Sequence, residues 1–197
     1  MSVSTAAGVS QKTGELGLML EELSAIGREA REVFGRLSAA QLNWKPSADQ
    51  WSVGQCFDHL IVTNSTFFKD MEAVAAGTYR PSLWGRVSPL SGFFGRFILK
   101  SLDPEKGRKT KAPRVFEPAE SHVAADVIER FAAHQGELSA RMRATTGADL
   151  RGLKVTSPVS PVATYSLLDA YRIVVAHERK HFEQARRVTR MEGFPDA

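Results

Sequence analysis

The stretch from Ser166 to Val188 reads SLLDAYRIVVAHERKHFEQARRV. Ala170, Val174, Ala185 and Val188 recur at helical steps, so a helix is predicted to start near Ser166 and end before Gly193-Phe194-Pro195. His177 and His181 fall on the same stripe. Side chains at i and i+4 of a helix leave one face about one turn apart, so this pair points toward the helix-packed interior. The spacing is the one needed for two ligands on one metal ion. Two plainer readings stand beside it. Buried histidines can simply be hydrogen-bonded core residues, and Arg179, Lys180, Arg186, Arg187 and Arg190 could make this a solvated basic face.

Three further segments carry the same period. From about Gly14 to Leu37, the residues Leu16, Met19, Leu23, Ile26, Ala30, Val33 and Leu37 form a stripe. Ser38 and Gln41 then stand at capping-box spacing, and Pro46 breaks the chain. A second long helix is expected to start with Ser52 as its N-cap. It carries Val53, Cys56, Leu60, Thr63, Phe67, Met71 and Val74 on one face and closes at Gly77. A third covers roughly Ser121 to Thr145, with Ala124, Val127, Ile128, Phe131, Leu138 and Met142 inward. Residues 147–161 read as loop, because the β-like run Val155-Thr156 is too short to count as a strand. The expected class is all-α: a four-helix bundle with a long crossover between helices 2 and 3.

The chain has 197 residues, 43% hydrophobic and 24% charged. That is one domain, residues 1–197, with the composition of an ordinary soluble globular protein. The single cysteine, Cys56, excludes an intrachain disulfide and any CxxC metal or redox site, so a metal would need His and carboxylate ligands. A reducing, cytoplasmic location is the simplest fit. Residues 1–13 lack the features of a signal peptide, and no stretch reaches the length of a membrane span. The formal charge of +4 is too small to make nucleic acid the default partner.

That charge is unevenly placed. The irregular insertion at about residues 80–116 holds Arg80, Arg86, Arg96, Lys100, Lys106, Arg108, Lys109, Lys111 and Arg114 against only Asp103 and Glu105, a net +7 that leaves the rest at −3. Its middle, Ser91 to Lys100, is largely apolar and is expected to form a short helix. Trp84, Phe93, Phe94 and Phe97 interleave with Arg86, Arg96 and Lys100. A lid over the site, suited to an anionic substrate, or a dimer contact is expected ahead of a membrane-surface patch, because Gly and Pro break the segment.

His59 is the third candidate ligand. Two ligands from one helix and one from a facing helix form a rigid mount, and three neutral imidazoles leave a coordination position open, as catalytic sites do. The runs Leu37–Pro46, Gln50–Gln55 and Asp58-His59-Leu60, followed by His177, His181 and Gln184, resemble the DinB-like (YfiT-like) metalloenzyme superfamily. Relatives typically open helix 2 with Trp-Ser, as Trp51-Ser52 does here. The resemblance implies a helical bundle, a His59, His177, His181 metal triad holding zinc or nickel, and a homodimer. It also implies a transferase-type reaction with a low-molecular-weight thiol such as bacillithiol or mycothiol, on a small-molecule electrophile. Alternatives are a metal-dependent hydrolase and a non-enzymatic helical binding module.

Other residues receive plainer expectations. Gln55 and Gln184 could orient imidazoles or a bound water. Glu178, about 100° off the face of His177, is expected in a salt bridge and not on the metal. Cys56 reads as a small core residue, His134 as an interhelical polar group and His122 as exposed. Trp44 and Trp51 are expected to pack as a staple at the end of the bundle.

Overall fold

The computed structural model describes residues 3–88, 90–102 and 122–196, with side chains from residue 14 on. Of the basic insertion, Lys106, Arg108, Lys109, Lys111 and Arg114 lie outside the described residues, as do its acidic Asp103 and Glu105 and the expected helix start at Ser121. The chain is mostly helical: α1 (Val3–Phe34), α2 (Ala39–Asn43), α3 (Val53–Ser65), α4 (Phe68–Ala75), α5 (Leu83–Val87), α6 (Ser91–Ser101), α7 (Val127–Ala144) and α8 (Leu167–Val188). Two strands, β1 (Lys154–Ser157) and β2 (Ser160–Ser166), precede α8. No described helix is long and apolar enough to cross a membrane.

Helix starts follow the capping chemistry. Ser38 accepts from Gln41 N–H while the Gln41 side chain accepts from Ser38 N–H, and Ser52 and Gln55 do the same at α3. Ser166 caps α8 by accepting from Asp169 N–H at 3.0 Å. Each such pair satisfies N–H groups that a helix start leaves without partners.

The expected single second helix is broken into α3 and α4. Ser65 Oγ donates to Ile61 O at 2.7 Å, and Thr66 Oγ1 donates to Thr63 O at 2.6 Å. Side-chain bonds of this kind compete with the helical ladder. The backbone tightens there to three-residue bonds, Thr66 N to Thr63 O and Phe67 N to Asn64 O. Gly77 ends α4 at φ 70°, the left-handed cap expected of glycine.

The all-α expectation is corrected by an antiparallel hairpin. Val155 pairs with Tyr165 and Thr156 with Thr164, and the register then shifts so that Ser157 pairs with Ser160. The shift skips residues 161–163 of β2, among them Pro161, which has no N–H to give to a ladder. Four and seven residues are too few for alternation to stand out in the sequence. The hairpin is fixed by what it rests on: Ser91 Oγ lies 2.8 Å from Thr164 Oγ1, tying β2 to α6.

Helices α1, α3, α7 and α8 pack on one another, and α6 lies across β2 and α8. On α1, Val33 faces outward and Phe34 takes the core position, edge-on to Phe57 and Phe182 at 5.1 and 5.3 Å. The step from Ile26 through Ala30 to Phe34 keeps a four-residue ridge facing inward. The third helix, expected from about Ser121, begins only at Val127; Ala124 lies before it and is exposed, and Val123 fills its place in the core.

The apolar interior divides into two clusters. One gathers Leu23, Phe67, Leu138 and Val174, the other Ile26, Leu60, Phe131 and Phe182. In sequence, Asn64 lies between Leu60 and Phe67, Gln135 between Phe131 and Leu138, and Glu178 between Val174 and Phe182. These three buried polar residues form a layer between the clusters: Glu178 Oε1 accepts from Asn64 Nδ2 at 2.7 Å and from Gln135 Nε2 at 3.0 Å.

Candidate metal centre

Consecutive residues of α8 are turned about 100° from one another, and each addresses a different neighbour. His177 meets His59 of α3, their Nε2 atoms 3.2 Å apart. Glu178 enters the polar layer with Asn64 and Gln135. Arg179 forks onto Glu29 of α1 at 2.7 and 3.0 Å and also bonds Glu22. Lys180 Nζ lies 3.5 Å from Ser101 O at the end of α6. One further step returns His181 to the face of His177. The rotational setting of α8 is therefore fixed from several sides.

The structure brings all three sequence-predicted ligands together. One nitrogen from each of His59, His177 and His181 lies within 4.8 Å of the others. The ring centroids of His59 and His181 are 4.6 Å apart, as are those of His177 and His181. His59 and His181 are buried, and His177 is partly so. Burial holds His177 neutral, pushing its pKa down to about 3, with His59 and Lys180 adding to the effect. Burial likewise drives His181 well below its ordinary value, reinforced by His177, His59 and Lys180 and opposed by a hydrogen bond with Gln184.

This donor set fits a metal ion. Neutral imidazoles present lone pairs and no charge, which is what His-bound metals require. Two nitrogens at about 2.0–2.1 Å from a tetrahedral ion would stand about 3.3 Å apart, close to the 3.2 Å between His59 and His177. His181 Nδ1 is buried and without a hydrogen-bond partner.

The surrounding residues divide plainly. Gln184 reaches His181, as expected. Gln55 gives its carbonyl oxygen to the Ser52 cap. Cys56 is buried in the apolar core, and burial raises its thiol to about 12, so it offers no thiolate. Asp58 stands 4.0 Å from Arg130. His134 is stacked on Phe68 between α7 and α4, centroids 5.2 Å apart, and His122 is exposed.

Two expectations are corrected. Trp51 is not a staple with Trp44. Its ring is stacked on His181 at 5.4 Å and tilted against His59 at 4.7 Å, while Trp44 packs on Phe194. The sequence signal was available in hindsight: Trp51 immediately precedes the cap of the helix that carries His59. Glu178 makes no salt bridge among the described residues. It is fully buried, burial raises its carboxyl to about 8, and the Asn64 and Gln135 amides pull it back only in part. The order His-Glu-x-x-His has the form in which a glutamate serves as general base beside a two-histidine zinc site. Here the carboxyl group is bound into the core by Asn64 and Gln135 and has a structural role.

Residues 22–185 match the sequence profile of the DinB superfamily. No curated protein and no solved structure matches the chain.

Proposed function

The chain belongs to the DinB superfamily, and on that premise we propose that it is a divalent-metal-dependent enzyme whose ion is held by His59, His177 and His181. Zinc or nickel is the proposed metal. The reaction is attack by a low-molecular-weight thiol on a small electrophile, a transferase chemistry. Helices α1, α3, α7 and α8 are read as the family's four-helix bundle, with residues 80–116 as its crossover, in a cytoplasmic protein. The observation that carries the reading is the approach of three imidazoles, one nitrogen from each, to within 4.8 Å.

When bound, such an ion supplies Lewis acidity that makes a coordinated thiol or water nucleophilic near neutral pH. The chain's own residues supply the rest. His59, His177 and His181 would hold the ion through one ring nitrogen each. Trp51 packs its ring on those of His59 and His181, and Gln184 hydrogen-bonds His181, so both help set the ring orientations. Lys180, half-buried beside His177 and His181, gives the site a positive rim suited to an anionic substrate. Thiol transfer is favoured over zinc-peptidase-type hydrolysis because the carboxyl group of Glu178, which stands in sequence where such a peptidase has its general base, is locked into the core.

Elemental analysis of untagged protein tests the metal. About one equivalent of zinc or nickel per chain is expected, and the double variant His177→Ala/His181→Ala should lose it while remaining helical by circular dichroism. Untagged protein that binds neither ion when either is added in excess would overturn the proposal.

A further inference from the structure

The outer surface built by α5, α6 and the β hairpin exposes more apolar side chain than a solvated face needs. Leu83 is 80% exposed, Phe97 61% and Phe93 56%, and Val87, Leu90, Val159 and Val162 are exposed beside them. Phe93 and Phe97 are stacked on each other with centroids 6.1 Å apart. Trp84 links α5 to the hairpin by donating to Val162 O at 2.8 Å. Both helices pack on the hairpin, and apolar exposure gathered on neighbouring elements in this way marks a surface that something covers.

The patch is mounted on the protein by its opposite side. Ser91 bonds Thr164, and Gly95 sits so close to Asp169 that an added Cβ would stand 3.0 Å from its carboxylate. Ile98 and Leu99 pack onto the core. α6 is therefore held with one face inward, and Phe93, Arg96, Phe97 and Lys100, at i, i+3, i+4 and i+7, share the outward face.

Charge selects the occupant. Residues 80–102 contain Arg80, Arg86, Arg96 and Lys100 and no acidic residue. A second copy related by a two-fold axis would set this cationic face against itself. The Trp84 N–H is already spent on Val162 O, so the indole does not offer it to a protein partner. Aromatic side chains interspersed with Arg and Lys on one helix face match a bilayer surface: rings enter the acyl boundary while the long basic side chains reach the headgroups.

We propose that the α5–α6 face docks the protein peripherally on an anionic phospholipid surface through Leu83, Val87, Phe93 and Phe97, with Arg86, Arg96 and Lys100 pairing with headgroups. This orders a preference the sequence left the other way, because the sequence shows the Gly and Pro breaks but not that the apolar and basic side chains converge on one outward face. The inference is independent of the metal reading.

The test is co-sedimentation of the full chain with vesicles of phosphatidylcholine alone and of phosphatidylcholine with phosphatidylserine. Binding is expected to the second only, and to weaken as salt is added. Phe93→Ala/Phe97→Ala and Arg96→Glu/Lys100→Glu should each bind on the order of tenfold more weakly, with circular dichroism unchanged because these side chains are exposed. Absence of binding to the anionic vesicles, or binding that both variants retain, overturns the proposal. So does a solution dimer that Phe93→Ala/Phe97→Ala splits, which would assign the face to a second copy. Binding to a polyglutamate peptide as tight as to the vesicles would assign it to an acidic polymer and also overturn it.

Discussion

Two histidines of this chain differ in what their burial achieves. At His177 burial holds the ring neutral with its Nε2 3.2 Å from that of His59, inside the three-histidine cluster that fits a metal ion. At His134, outside that cluster, burial against Phe68 lowers the pKa: Nε2 has no hydrogen-bond partner, Glu137 opposes the shift and Arg141 adds to it. A base with a lowered folded pKa binds fewer protons folded than unfolded. The stability it contributes is present above the unfolded value near 6.5 and is lost as pH falls below it. His134→Phe removes that titration while keeping a ring on Phe68. The fall in melting temperature between about pH 7.5 and about pH 5 should be smaller in the variant than in the parent. An equal fall in both would refute the assignment. The positions of His59, His177 and His181 were legible in the sequence because helical spacing and the Trp-Ser and His-Leu runs are local. The contact of Trp51 with two of them was not, since it depends on how α3 meets α8.

At the scale of elements, α8 is the organising helix, and its setting rests on the layer that joins it to α3 and α7. Glu178 is the shared acceptor of Asn64 and Gln135. Glu178→Ala strands two buried amide donors, and a loss of about 2–4 kcal/mol is expected from urea unfolding. Zinc affinity should fall roughly tenfold with it, because His177 is one residue away and loses a fixed rotation. Glu178→Gln keeps an acceptor and adds an N–H, while Asn64 Oδ1 and Gln135 Oε1 are buried without donors. That variant should stay within about 1 kcal/mol of the parent. Equal damage from both substitutions would show that side-chain volume matters there and not the hydrogen bonds. Helix starts were readable from Ser38, Ser52 and Ser166, since a cap is a contact within four residues. The interruption of the second helix was hidden in Ser65 and Thr66, because the apolar stripe continues past them through Phe67 and Met71.

For the molecule as a whole, metal and fold should be linked. A ligand that binds only the folded chain stabilises it by ~2.7 kcal/mol when free metal is 100-fold above Kd, which in a chain of this size raises Tm by roughly 5–10 °C. Chelated protein titrated with zinc should show that rise, and His59→Ala should not. A rise of the same size in both would place the stabilising ion elsewhere. The division of labour between sequence and structure follows from the range of the forces. Periodicity, caps and the His-x-x-x-His spacing are set over one to three turns, so the sequence by itself determined most of the long helical segments, the shared face of His177 and His181 and the cationic character of residues 80–116. The polar layer through Asn64, Gln135 and Glu178, the stacking of Trp51 on His181, and the tie of Ser91 to Thr164 that seats the hairpin against α6 join residues tens to more than a hundred positions apart. Those contacts exist only once the helices have packed, and it is packing, not propensity, that settles which buried polar groups meet and which apolar ones are left outside.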